Sequence, residues 1–492
     1  MSMLTLSATQ LARGIRDGRW TSTELVEGHI AHIQRVNPTL NAMVWDRFEL
    51  ARDEASKADA ELTDAPFHGV PCSIKECFAL TGMPNSSGLW SRRDLRAQTD
   101  ATAVARYRAA GAIPLGVTNT SELCMWMESD NRVYGRSNNP YDPRRTVGGS
   151  SGGEGAIVGA GGAPFGLGSD IGGSIRMPAF FNGVFGHKPS GGLVPGTGQF
   201  PMAEGPARRM LATGPLCRRA EDLYPLLQIL AGPDGHDGEE LVLEDPRAVE
   251  LSSLVVFDIP DNGVTRPTRA MRGAQQKAAS TLEGLGARVE RLEIPRLKKS
   301  FEIWSAALSE GAHTPFPVLM GDGERVPPGP ELMRRFMGRS HHTFMCSLLG
   351  LAEELTEPLS GLQESLLHER DALRQELDER LGDDGVLLFP PFPRSAPRHR
   401  WPLARQLMLR FDYSYTAILN AMHLPATAVP MGLDNKGVPL GLQVAAGHGN
   451  DHLCLAVATA LEEAWGGWVP PRRWIQSAGA SAGSKADGSP RS

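Results

Sequence analysis

Lys75, Ser150 and Ser174 are the residues whose types and settings could share one reaction. The serines lie in GGSSGGEGA at 148–156 and GSDIGGSIRMPA at 168–179, and the lysine lies in VPCSIKE at 70–76. A serine hydroxyl attacks a carbonyl carbon once its proton is removed. A lysine can remove it only when neutral, so its pKa must fall well below the reference of about 10.4. Burial and hydrogen bonds to neutral hydroxyls push it that way. With Ser150 bridging Lys75 and Ser174, the proton could pass inward and later return to a leaving amine. N–H groups of Ile171, Gly172, Gly173 and Ser174, at the start of a helix read over 175–181, would face the oxygen as it becomes anionic. Each such donor is typically worth about 2.7–4 kcal/mol.

Taken singly, each piece has another reading. Lys75 alone fits a strand-end lysine that reaches solvent, and a GGSSGG loop could cradle a phosphate. No Gly-Lys-Ser/Thr follows that loop, and no GxGxxG opens a helix after a strand, so nucleotide binding is the weaker account. The six cysteines, Cys72, Cys77, Cys124, Cys217, Cys346 and Cys454, are mostly far apart. Their one close pair has no matching second pair or His set, which argues against structural zinc and a disulfide framework and points to reduced thiols in the cytoplasm. No metal and no cofactor is expected. The net charge of -6, without a dense Lys/Arg run, argues against nucleic acid as a partner. The N-terminus has no signal-peptide pattern, and no later run reaches about 18 uninterrupted apolar residues, so an integral membrane segment is not expected, although peripheral membrane contact remains open.

Helix and strand patterns alternate around these residues. Amphipathic helices are read over 7–35, with a Thr21/Glu24 capping box, and helical sequence continues over 51–60. Strands are expected over 112–117, 163–167, 254–257, 287–292, 386–389, 426–430 and 440–444, and helices over 102–111, 154–160, 220–231 and 271–285. Residues 300–380 read as mostly helical. Their apolar and basic run 332–337 fits helix packing or a dimer face, with a lid or membrane-contact surface as the alternative. This rhythm implies an α/β fold: one large domain over 1–475 with a central mixed β-sheet covered by helices, and a Ser/Gly/Ala-rich disordered tail over 476–492. Its parts are N-terminal helices at 7–60, a core at about 67–232 and a helical variable region at about 300–380.

The three motifs together, in the order lysine, serine, serine, resemble the amidase signature family of serine hydrolases, and the resemblance spans nearly the whole chain, to VPLGLQVAA at 438–446. It implies a Ser-cisSer-Lys triad. Ser174 would be the acyl-forming nucleophile, Ser150 the bridging serine after a cis peptide bond, and Lys75 the base. Ile171, Gly172, Gly173 and Ser174 would line the oxyanion hole, with Asp170 and Arg176 as structural support. SELCMWMESDN at 121–131 and GRSNNPYD at 135–142 are similar to the fatty-acid amide hydrolases within the family, a branch with an N-terminal membrane anchor that is not seen here. That similarity implies substrate contacts at Cys124, Met125, Trp126 and Ser151, a small-molecule amide substrate and a homodimer. A glutamine-dependent aminoacyl-tRNA amidotransferase subunit and a general short-chain or aryl amidase are the alternatives. His187 has no task in such a triad and reads as a packing residue.

Overall fold

The structure, a computed structural model, describes residues 2–356, 360–399 and 403–475; the tail expected over 476–492 lies outside them. Short apolar runs, most of them too brief to form a buried helix, pair into one eleven-stranded sheet. From edge to edge its strands are Met43–Asp46, Ile113–Thr118, Pro71–Lys75, Phe165–Asp170, Ala212–Cys217, Phe185–Lys188, Ala426–Leu433, Pro439–Ala446, Gly385–Phe389, Val255–Asp258 and Arg288–Arg291. The sheet is mixed. Pro71–Lys75 runs parallel to both its neighbours, the centre is antiparallel, and the last three strands are parallel again. The chain therefore forms a single α/β domain with helices flanking the sheet.

Two N-terminal helices form as read, the second starting at the Thr21/Glu24 box and running on to Leu40, past the expected end at 35. Ala8–Arg16 and Ser22–Leu40 each begin with a capping box, Ser7 with Gln10 and Thr21 with Glu24. Leu25, Ile30 and Ile33 of the second helix are buried, as their spacing requires. The expected strand at 163–167 lies two residues later, at Phe165–Asp170, because the ladder with Ala212–Cys217 continues through Ser169 and Asp170. The variable region folds into the helices Ser300–Ser309, Phe316–Met320, Pro328–Phe336, Phe344–Thr356 and Ser360–Leu381. Within the run 332–337, Met333, Phe336 and Met337 are exposed, so these side chains do not pack into the core.

The strands Met43–Asp46, Phe185–Lys188 and Ala212–Cys217 have no counterpart in the periodicity reading, and neither do two long helices, Leu403–Ala421 and Asp451–Trp465. The first of these helices carries the residues that brace the serine loops. Parallel register sets Ser73 across from Gly166 and Ile74 across from Leu167, so the C-terminal ends of these two strands, with Lys75 and Ser169, face the same edge. In open α/β sheets that edge is where ligands bind.

The helix Gly152–Gly159 lies close over this part of the sheet. Its Glu154 carboxylate rests directly on Gly166, where an added Cβ would collide with Oε2 and come within 2.8 Å of Ser73 Oγ. Gly166→Ala should therefore lower the unfolding free energy by about 1–3 kcal/mol. Gly284→Ala, where a Cβ meets nothing within 4 Å, should leave stability unchanged or slightly raised. Urea unfolding of the two variants beside the parent protein checks this pair.

Candidate active site

Lys75 is the last residue of its strand and is fully buried. Its Nζ donates to Ser150 Oγ at 2.6 Å and to Ser169 Oγ at 2.8 Å. Both partners are neutral hydroxyls, and among the described residues Lys75 takes part in no ion pair. The structure thus brings Lys75 and Ser150 together and adds Ser169, which sequence reasoning missed. Ser169 is the penultimate residue of the neighbouring strand, and only knowledge of which strands pair could have singled it out.

Ser150 follows a cis Gly149–Ser150 peptide bond. Ser129, also missed, holds this turn. Its hydroxyl lies 3.1 Å from the Gly148 carbonyl and 3.0 Å from that of Ser150, and it accepts from Gly152 N–H at 2.9 Å. The two serine loops meet where Ser151 N–H donates to the Ser174 carbonyl at 3.2 Å. The Ser151 hydroxyl itself is buried against the Ser169 backbone, with its oxygen 3.2 Å from Ser169 O and 3.3 Å from Ser169 N. These contacts of Ser151, one of the residues expected to touch substrate, tie its loop to the strand.

Ser174 sits at the end of the loop 171–174, just before the helix Arg176–Phe181. Asp170 organises that loop. Its Oδ1 accepts from Gly173 N–H at 2.5 Å and its Oδ2 from Ile175 N–H at 3.0 Å. Both oxygens also face Arg176, with Nε and Nη2 at 3.1 Å. Of the four N–H groups expected to line an oxyanion hole, that of Gly173 is therefore already engaged. Those of Ile171, Gly172 and Ser174 have no acceptor among the described residues. Gly173 has φ of +124°, a conformation that a side chain would strain, and a Cβ there would strike Thr416.

The back of the loop rests on residues far along the chain. Trp304 Nε1 donates to the Ile171 carbonyl at 2.8 Å and Thr416 Oγ1 to that of Gly172 at 2.9 Å. Asn420 Nδ2 reaches the Asp170 carbonyl at 2.9 Å, while its Oδ1 accepts from Arg176 Nη2 at 2.6 Å. Gln443 Oε1 takes Arg176 Nη1 at 2.9 Å. Every charged nitrogen and oxygen of this buried pair has a partner, as burial demands.

The expected pocket residues do not share one wall. Cys124 packs on the main core, Met125 against Leu89, Leu123, Phe316 and Met320, and Trp126 against Met127, Met177 and the phenylalanines at 180 and 181. Leu123 and Cys124 both have positive φ, 54° and 58°, and this bend sends the successive side chains apart. His187 lies between Thr427 Oγ1 at 2.8 Å and Asp451 Oδ1 at 3.0 Å, fully buried in a packing role.

Two carboxyl groups near the site are displaced in opposite directions. Burial pushes Glu154 up to about 8, although hydrogen bonds from Ser73 and Thr118 and the charge of Lys75 pull the other way. Burial also acts to raise Asp170, but there the charge and hydrogen bonds of Arg176 win and hold the carboxyl well below the usual range. The site thus pairs a carboxyl that is mostly neutral near pH 7 with one that is ionised.

A sequence profile of the Amidase family matches residues 24–455. The chain belongs to the amidase signature family. This amidase is 48% identical over 490 residues to fatty-acid amide hydrolase 2-B of Danio rerio, covering 95% of this chain and 91% of that one. With fatty-acid amide hydrolase 2 of Homo sapiens it shares 46% identity, over 96% of this chain and 91% of the human one. Among solved structures, 6-aminohexanoate cyclic dimer hydrolase complexed with substrate superposes with a TM-score of 0.80 at 26% identity, covering 95% of this chain and 99% of that one. The amidase is accordingly a serine amidohydrolase, and amide hydrolysis is its reaction class. No helix among its described residues is long and apolar enough to cross a membrane.

The two carboxyl groups yield two predictions for the amidase. Asp170→Asn removes the anion from a fully buried pair and leaves Arg176 uncompensated, so stability should fall by about 3–5 kcal/mol in urea unfolding. Glu154 has the opposite linkage, because its folded pKa lies above the unfolded one. The stability it contributes is complete below about pH 4.5 and is lost as pH rises to about 8. Glu154→Gln, which copies the neutral acid, should gain on the parent protein across that interval and run parallel to it above; unfolding curves at a series of pH values measure the difference.

Proposed function

We propose that this amidase cleaves its substrate through an acyl-enzyme on Ser174, with Ser150 and Lys75 carrying the proton, and that the substrate is a linear amide with an extended apolar acyl group. The observation that carries the mechanism is the contact of 2.6 Å between Lys75 Nζ and Ser150 Oγ, in a fully buried setting where the lysine has only hydroxyl partners. A lysine acts as a base only when neutral, and Lys75 Nζ already touches the hydroxyl whose proton it would take.

In the proposed sequence, Ser174 Oγ attacks the carbonyl carbon while its proton passes to Ser150, whose own proton passes to Lys75. The carbonyl oxygen becomes an oxyanion facing the N–H groups of Ile171, Gly172 and Ser174. Gly173 takes a different part: by donating to Asp170 it fixes the curve of the loop. When the C–N bond breaks, the proton returns along the same relay to the departing nitrogen, releasing ammonia or an amine. Water then attacks the acyl carbon, and the acid leaves as Ser174 Oγ recovers a proton.

The apolar acyl group is supported by the fatty-acid amide hydrolase 2 relatives and by the apolar cluster around Met125, which gathers Leu89, Leu123, Phe316, Met320 and Phe200 beside the 121–126 segment. Each added methylene that is buried contributes about 0.8 kcal/mol.

Ser174→Ala should lower kcat/KM by about 10⁴-fold or more and abolish labelling by a fluorophosphonate probe. With the parent protein, kcat/KM across primary amides of increasing chain length should climb with length. Full activity in Ser174→Ala would overturn the mechanism. A preference for short or aryl amides that is lost in Ser174→Ala would leave the mechanism standing and remove the long acyl group.

A further inference from the structure

Away from the serines, a cavity of about 300 Å³ opens between the turn Gly205–Met210, the helix Ser300–Ser309 and the helix Ser360–Leu381. Arginines at 209, 370 and 374 line it, with His423, Met210 and Glu310. Two of the three arginines are balanced locally. Arg209 is paired with Glu239, and Arg370 with Glu310 and Asp371.

Arg374 is different. Among the described residues it forms no ion pair, and its Nε is buried without a hydrogen-bond partner. Its Nη2 donates to the Ala421 carbonyl at 2.9 Å and comes within 3.4 Å of the His423 ring. His423 offers no countercharge: burial, then the neighbouring Arg374 and Lys188 charges, lowers its pKa to about 2. Burial, followed by the charge of Arg370, lowers the pKa of Arg374 too, although Asp371 and Asp378 oppose it. Arg374 is thus a half-buried guanidinium that lines a polar cavity and has no carboxylate paired with it among the described residues. Guanidinium forks match planar or tetrahedral oxyanions with two parallel hydrogen bonds. With a water's share of liquid volume near 30 Å³, the cavity has room for such a group and its hydration.

We propose that this cavity is a binding site for a small oxyanion, a phosphate or a carboxylate, held by Arg374, with the exposed Arg209 adding the N–H groups that its pairing with Glu239 leaves over. The site is separate from the proposed catalytic groups but touches their scaffold. Ala421, which accepts from Arg374, follows Asn420, and Asn420 Nδ2 donates both to Asp170 O and to Met210 O at 2.9 Å.

Isothermal titration of the full chain with inorganic phosphate and, separately, with acetate, each against chloride at equal ionic strength, tests the proposal. At least one anion should bind saturably, and the tighter one identifies the source chemistry. Arg374→Gln should weaken that binding about tenfold or more, the worth of one charge-assisted hydrogen bond. Should Arg374→Gln fail to fold, Arg209→Gln, whose side chain is 54% exposed, should weaken the same binding. Arg325→Gln, at a surface pair outside the cavity lining, should not. Absence of saturable binding by both anions would overturn the site, as would equal binding by the parent and the soluble cavity variants, or an equal loss in Arg325→Gln.

Discussion

The buried ion pair between Asp170 and Arg176 is the contact on which the loop 171–175 depends. A carboxylate and a guanidinium removed from water cost far more than their attraction returns unless every remaining donor and acceptor is used. Here they are used: Gly173 and Ile175 N–H on the carboxylate, Asn420 and Gln443 on the guanidinium. Satisfying the pair therefore dictates the path of the backbone between them, and that path fixes where Ser174 stands and which N–H groups remain free. The geometry of the proposed oxyanion site is a by-product of solvating a buried charge.

The lysine side of the site follows the opposite logic. Lys75 donates to hydroxyls, and Glu154, a carboxyl that feels its charge, is itself pushed toward neutrality by burial. One half of the site is a charge fully compensated by charge. The other is a lysine set among hydroxyls, joined to the first through Ser151, whose N–H holds the Ser174 carbonyl while its hydroxyl meets the Ser169 backbone. Both halves hang from the ends of adjacent strands, Pro71–Lys75 and Phe165–Asp170, so the distance between them is set by sheet geometry.

Most of the helices and strands were legible in the sequence, since capping boxes and apolar periodicity are local signals. Thr21 with Glu24, and the spacing of Leu25, Ile30 and Ile33, specify the start and buried face of the helix at Ser22, which runs to Leu40, past the 7–35 read from the pattern. The helix Leu403–Ala421 was not legible, and with it Thr416 and Asn420 escaped notice. Their work is to support a loop roughly 250 residues earlier, and nothing in their own neighbourhood records it. Ser169 was missed for a related reason: it shares a motif with Ser174, yet its partner is Lys75 on another strand.

The sequence by itself determined the chemical repertoire, a buried-looking lysine and two serines in glycine-rich loops, together with the family, because motif order and residue type are properties of the chain. Tertiary structure alone decided which hydroxyls meet Lys75, that Gly173 serves Asp170, that Ser151 ties a loop to a strand, and that Cys124, Met125 and Trp126 diverge into separate clusters. Those outcomes turn on strand pairing, backbone hand and the need to satisfy buried polar groups. Each is a relation between segments that no stretch of sequence contains.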